Sequence, residues 1–300
     1  MIKAENLTKK FSDMTALDSI NCAIEKGCIY GMVGSNGSGK STLLRLLSGV
    51  YKPDGGRAML DGEDIYENTK AKASIAFVPD ELYYPAGATM DRVAAMYRSL
   101  YPGFDDTRYK ELARDLNLNR SKTLSTFSKG MRRQAMTVLA LATKPQYIFF
   151  DETFDGLDPV MRNYVKRLIC MDVVDRGASA VITSHSLREL EDTCDQLALL
   201  HKGGLVFESD IQNLRTTRFK IQIAFSAEVG DYGPEKFDGI ELVRFQKHGS
   251  VVNMIVKGDR DETVAKLSAM NPVILDVLPL TLEEVFTYEM EALGYSFELD

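Results

Sequence analysis

The chain has 300 residues, 45% of them apolar, enough for one large core and a smaller second one, so two domains are expected. A formal net charge of −7 speaks against a nucleic-acid-binding surface as the main role, and no nucleic-acid partner is expected. The four cysteines, Cys22, Cys28, Cys170 and Cys194, show no paired ligand spacing, which points to free thiols in a reducing compartment and away from zinc.

Met1 to Asn6 lack the apolar core of a signal peptide. No apolar stretch approaches the roughly 20 residues that span a bilayer. The longest candidate, near Met136 to Phe150, is broken by Lys144-Pro145-Gln146, so a soluble chain is expected. Up to about Asp210 short apolar strands alternate with amphipathic helices, which predicts an α/β layer structure. Ile20, Cys22 and Ile24 alternate with polar residues, as in a half-exposed strand.

The apolar run Ile29 to Val33 leads into Gly34-Ser35-Asn36-Gly37-Ser38-Gly39-Lys40-Ser41, and Thr42 to Leu47 follows. This is the Walker A pattern in its strand–loop–helix context. Its glycines let successive N–H groups curl round an anion, and a helix starting near Ser41 turns its positive end to the same anion. Lys40 is placed to reach the β- and γ-phosphates, and Ser41 to ligate Mg²⁺. A nucleoside triphosphate site is therefore expected.

A strand over Ile75 to Val78 precedes Pro79-Asp80-Glu81. Met90, Val93, Ala94, Tyr97, Leu100 and Tyr101 recur at helical spacing and stop at Pro102-Gly103. With Glu111 to Leu116 and Lys129 to Leu141 they predict a mostly helical region over about 82–144. Tyr147 to Phe150 is a buried strand ending in Asp151-Glu152. That places a carboxylate, Asp151, for the Mg²⁺ shell, and Glu152 to accept a proton from the attacking water. Ala180-Val181-Ile182 is a second central strand, followed by Thr183-Ser184-His185.

After about Arg215 the pattern changes. Phe219 to Phe225 alternates, and Leu242 to Val256 reads as a hairpin turning at His248-Gly249. A helix near Glu262 to Met270, a strand over Val273 to Leu278, and a helix opened by the capping box Thr281-Leu282-Glu283-Glu284 complete a small α+β tail.

On these motifs the chain resembles the ATP-binding-cassette (ABC) ATPases. The family signature, usually L-S-G-G-Q, corresponds to Phe127-Ser128-Lys129-Gly130-Met131, with Arg132-Arg133-Gln134 after it. The resemblance implies that Ser128 and Gly130 cover the γ-phosphate held by an opposite subunit. Asp155-Gly156-Leu157-Asp158 resembles the family's D-loop, though Asp158-Pro159 also reads as an ordinary helix N-cap and first turn. His185 matches the switch histidine, Phe11 the aromatic that stacks on adenine, and Asp80 the position of the usual glutamine near the metal. Leu280 to Phe286 resembles the ending of ATPase subunits of bacterial drug, peptide and antibiotic exporters.

The resemblance implies a P-loop NTPase cassette over 1–215, with a RecA-like mixed sheet, an antiparallel β subdomain and the helical subdomain, plus an accessory domain over 216–300. It implies ATP and Mg²⁺ as cofactors, transmembrane permease subunits and a second ATP-binding subunit as partners, and a place at the cytoplasmic face of the membrane. A competing expectation is a soluble ATPase of the same type acting as a regulatory or translation-associated switch. Translation factors of that kind usually carry two cassettes, and one Walker A pattern is present here.

Overall fold

The computed structural model describes residues 1–226, 232–278 and 280–292. It divides into two compact units, Met1–Glu208 and Ser209–Asp300.

In the first unit β1 (Ile2–Phe11) pairs antiparallel with β2 (Met14–Ile24), and β3 (Ile29–Val33) runs into the glycine-rich loop and α1 (Lys40–Leu47). β4 (Gly55–Leu60) returns to β1, and β5 (Glu63–Asp64) completes an antiparallel sheet of order β2-β1-β4-β5. α2 (Thr69–Ala73) leads to β6 (Ile75–Val78), then α3 (Met90–Leu100), α4 (Asp106–Asp115) and α5 (Lys129–Ala142) fill the predicted helical region. β7 (Tyr147–Phe150), α6 (Pro159–Arg176), β8 (Ser179–Ser184), α7 (Leu187–Glu191), β9 (Gln196–His201) and β10 (Gly204–Asp210) follow. The second sheet has the order β10-β9-β3-β8-β7-β6, and the pairs from β9 through β6 are parallel.

The patterning explains this arrangement. Every residue of β3, β7 and β8 is buried, as continuous apolar runs covered on both faces require. In β1 and β2 buried positions are interspersed with exposed ones, so that sheet keeps one wet face. Between the sheets the core gathers Ile2, Leu17, Ile24, Leu43, Leu47, Tyr147 and Phe149, among others.

Register then decides where the chemistry sits. Val33 pairs with Ser184, Ile182 with Phe150, and Phe150 with Val78. The chain therefore leaves β3, β8, β7 and β6 along one edge of the sheet. Loops after the carboxyl ends of parallel strands are where α/β sheets hold ligands.

The second unit has α8 (Ile211–Thr217), β11 (Arg218–Ala224), β12 (Glu241–His248), β13 (Val251–Lys257), α9 (Arg260–Ser268), β14 (Ile274–Leu278) and α10 (Leu282–Ala292). Its antiparallel sheet, order β12-β13-β11-β14, packs its own core of Phe219, Ile221, Ile223, Val252, Met254, Val256 and Leu267. The hairpin turns at Gly249-Ser250, one residue beyond the expected His248-Gly249, with Gly249 at φ +63 supplying the left-handed step. The capping box is formed as read. Glu284 N–H donates to Thr281 Oγ1 at 3.2 Å, and Thr281 N–H to Glu284 Oε2 at 3.1 Å. Among the described residues no helix is long and apolar enough to cross a membrane.

Candidate active site

The loop after β3 is shaped by its glycines. Gly39 sits at φ +107, and a Cβ there would lie 2.6 Å from Leu17 Cδ2 and 3.0 Å from the Ala16 carbonyl. Gly37 sits at φ +79 with open space around it. The first bond of the α1 ladder runs from Leu43 N–H to the Gly39 carbonyl at 2.8 Å. The N–H groups of Lys40, Ser41 and Thr42 therefore stand ahead of the ladder, at the positive end of the helix. All three residues line a cleft of about 460 Å³ together with Asn36, Gly37, Ser38, Gly39, Phe11, Met14, Thr15, Ala16, Asp80, Glu152, Lys202 and Gly203. Backbone donors, a buried cation and an apolar end suit an anionic ligand with an aromatic part.

At the floor, Lys40 is 5% exposed and donates to the carbonyls of Gly34 at 2.7 Å and Ser35 at 3.2 Å. It also lies 3.2 Å from Glu152 Oε1. Glu152 Oε2 in turn meets His185 Nδ1 at 3.1 Å. One carboxylate is thus shared between the loop lysine and the histidine that follows β8.

Asp151, fully buried at the end of β7, accepts from the Ser41 hydroxyl and the Thr183 hydroxyl, each at 2.9 Å, both through Oδ1. Its other oxygen, Oδ2, is buried with no hydrogen-bond partner among the described residues. Burial pushes this carboxyl above its ordinary range, while the two hydroxyl donors pull it down. A buried carboxylate oxygen with spare valence, beside a serine hydroxyl, is a hard-oxygen donor set that fits a magnesium ion.

Glu152 holds a left-handed backbone, φ 48, which costs a non-glycine residue roughly 1–2 kcal/mol. Both sides of the residue are fastened: its N–H donates to Thr183 Oγ1 at 2.9 Å, and its carbonyl accepts from the Arg133 guanidinium. The turn aims the carboxylate back over the phosphate loop.

The remaining expected residues lie around this centre. Ser128 is the N-cap of α5, accepting from Met131 N–H at 3.2 Å. A Cβ on Gly130 would lie 3.1 Å from the Gly156 carbonyl, so the start of α5 rests on the Asp155-Gly156 turn. Lys129 pairs with Asp155 at 2.9 Å. Asp158 caps α6 by accepting from Val160 and Met161 N–H, both at 3.0 Å, with Pro159 in the first turn. Neither Ser128, Gly130, Asp155 nor Asp158 lines the cleft of this one chain. Phe11 does line it, half-exposed and edge-on to Tyr51 with ring centres 5.6 Å apart. Asp80 lines it too, with its carboxylate ion-paired to Arg133.

Three participants escaped the sequence. Thr183 bridges Asp151 and Glu152, and only the register of β7 against β8 reveals that. Arg133 has a side chain 2% exposed, although a charged residue two places past a motif normally reads as solvated. The turn Lys202-Gly203 docks on the loop, with Gly203 N–H donating to the Ser38 carbonyl at 3.1 Å. A lysine–glycine pair carries no signal for that.

Comparison with known proteins bears on this geometry. Residues 17–155 match the family model described as ABC transporter. The ABC transporter ATP-binding protein YtrB of Bacillus subtilis is 31% identical over 286 residues, which cover 95% of this chain and 97% of that one. The linearmycin resistance ATP-binding protein LnrL of the same organism is 32% identical, over 69% of this chain and 68% of its own length. Among solved structures, the dimeric post-hydrolysis state of the ATP-binding cassette MJ0796 bound to ADP and Pi aligns with a TM-score of 0.63. It is 23% identical and covers 70% of this chain and 99% of that one, a likeness of fold. With the Walker loop and Glu152 lining one cleft, Asp151 bonded to Ser41 and His185 bonded to Glu152, this chain belongs to the family of ABC transporter ATP-binding proteins, and its cassette is an ATPase.

Proposed function

We propose that the chain is the ATP-hydrolysing subunit of an exporter, seated at the cytoplasmic face of the membrane. It works with separate transmembrane permease subunits and pairs with a second ATP-binding subunit. The exporter reading is supported by the ending Leu280 to Phe286 and by the name of the relative LnrL, a resistance protein. The unit Ser209–Asp300 is an accessory domain of this motor.

In this reading Gly34 to Thr42 hold the triphosphate and Phe11 lies against the base. Ser41 and Asp151 would hold Mg²⁺, with Asp80, ion-paired to Arg133, in the lining of the same cleft. When bound, Mg²⁺ neutralises charge on the β- and γ-phosphate oxygens. Glu152 orients a water and takes its proton as the water oxygen bonds to the γ-phosphorus. The bond from that phosphorus to the β–γ bridging oxygen breaks, and ADP carries away the electron pair. His185 holds the Glu152 carboxylate on its far side. Ser128 and Gly130 of the second subunit close over the γ-phosphate, with Asp155 and Asp158 at the seam between subunits. Most of the acceleration comes from positioning and charge, because phosphoryl transfer asks little covalent help of the protein.

The observation that carries this reading is the single Glu152 carboxylate held between Lys40 and His185 at the mouth of the loop. Glu152→Gln is expected to keep ATP binding, lose about a hundredfold or more in turnover, and run as a dimer on sizing with Mg-ATP. Turnover near the native rate overturns the role of Glu152; a monomer under those conditions overturns the paired mechanism.

A further inference from the structure

The buried guanidinium of Arg133 has no place in the mechanism above, and ionised groups are expensive to bury unless their partners repay the lost hydration. Its partners are specific. It donates to the main-chain carbonyl of Glu152, pairs with the Asp80 carboxylate, and lies 3.8 Å from Asp155 Oδ2. The carbonyl belongs to the one residue of the site that is both left-handed in φ and assigned to the attacking water. On the other side of that residue Thr183 accepts its N–H. The two contacts clamp the peptide groups on both sides of Glu152. Without them the left-handed turn would relax toward an ordinary backbone, and the carboxylate would swing away from Lys40.

Arg133 also comes from the first turns of α5, the helix capped by Ser128. The same helix start touches the Gly156 carbonyl and is pinned by Lys129 to Asp155. A displacement of the Ser128–Gly130 segment therefore moves the guanidinium that holds Glu152, and Asp80 fixes its other end.

We propose that Arg133 is a positioning residue: through the Glu152 carbonyl it sets the aim of the Glu152 carboxylate, with Asp80 as its fixed counter-ion, and so ties that aim to the position of α5. The proposal rests on the assignment of Glu152 to the attacking water. Arginine suits this because its rigid planar fork presents donors to two acceptors in fixed directions, whereas a lysine ammonium is a point charge on a flexible stem.

The test uses the full-length protein and two variants. Arg133→Lys keeps the charge and loses the fork; Arg133→Gln leaves a single amide NH2 and no buried charge, so it guards against a failure of the first to fold. Each is measured for kcat and KM with Mg-ATP, for affinity with a fluorescent ATP analogue, and for thermal melting. The expected result is a kcat lower by on the order of ten- to a hundredfold, the scale of a misplaced reacting group. Nucleotide affinity should stay within about threefold, since Arg133 does not line the cleft. A native kcat in both variants overturns the proposal. So does a parallel loss of affinity, rate and melting temperature, which marks a merely structural arginine.

Single turnover in the Glu152→Gln background separates this inference from the reading it rests on. Acting through Glu152, Arg133→Lys should then cost less than about twofold further. A loss as large as in the native background overturns the proposal. If Glu152→Gln itself turns over normally, the role of Glu152 has failed. If Glu152→Gln is inactive while Arg133→Lys is not, the role of Arg133 alone has failed.

Discussion

Asp151 is the residue on which folding and chemistry disagree. Burial holds its carboxyl above the ordinary value of 3.8 in the folded chain, so the folded state binds the proton more tightly than the unfolded one. Its favourable contribution is complete below the unfolded value and is lost as pH rises through the folded one. At neutral pH the ionised group strains the ligand-free protein. Asp151→Asn keeps an oxygen for the Ser41 and Thr183 hydroxyls and is expected to raise Tm at pH 7.5. The scale is about 2–4 °C for each kcal/mol relieved, and the gain should shrink toward pH 4 while Mg-ATP turnover is abolished. Equal melting shifts at both pH values would contradict the burial argument. Thiols follow the same physics. Burial pushes Cys22 up to about 12 and Cys28 to about 11, and drives Cys194 further still. Alkylation at pH 8 should therefore leave these three unlabelled until denaturant is added; rapid labelling of any of them in the folded protein would show that its site opens. Lys40→Ala removes the loop's cation and is expected to weaken ATP binding by more than about tenfold, read by calorimetry.

At the scale of elements, two helix starts allow a controlled comparison. Asp158 caps α6 and Ser128 caps α5, each through its side-chain oxygen. Replacing either with alanine should cost about 1 kcal/mol of stability, with a similar small fall in melting temperature. The serine variant should lose ATPase activity out of proportion to that fall, because the hydroxyl that accepts from Met131 N–H can still donate its O–H to a phosphate oxygen. Matched losses in both variants would reduce Ser128 to a cap. Gly39→Ala places a methyl within 2.6 Å of Leu17 and strains a left-handed backbone, so both stability and nucleotide affinity should fall.

These local devices were the legible part of the chain. The glycine loop, the apolar strand ending in Asp151-Glu152 and the capping box at Thr281 each lie within a few consecutive residues. What the sequence hid is what register decides. Thr183 reaches Asp151 because β8 lies beside β7, and Asp80 meets Arg133 across a separation of 53 positions. Asp80 shows the limit most clearly. Aligned by motif it reads as a metal ligand, while its neighbour in space is a guanidinium.

At the scale of the molecule, Ser128 and Gly130 stand outside the cleft of their own chain. If a second copy or a related subunit must supply them, specific ATPase activity should rise with protein concentration. A profile that stays flat down to low concentration would argue for a self-sufficient monomer. The pattern of the sequence changes near Arg215, and the structure divides into its two units after Glu208, within β10. A strand that runs through a boundary leaves no break in composition to read.

The placement of Lys40 has one more consequence. Its ammonium is already dressed by two carbonyls of its own loop and by Oε1 of Glu152. An incoming triphosphate meets no bare cation; it must exchange itself for those partners. Drawing the ammonium onto phosphate unmasks the glutamate oxygen in the same stroke, so an idle site keeps its base covered and a loaded one does not.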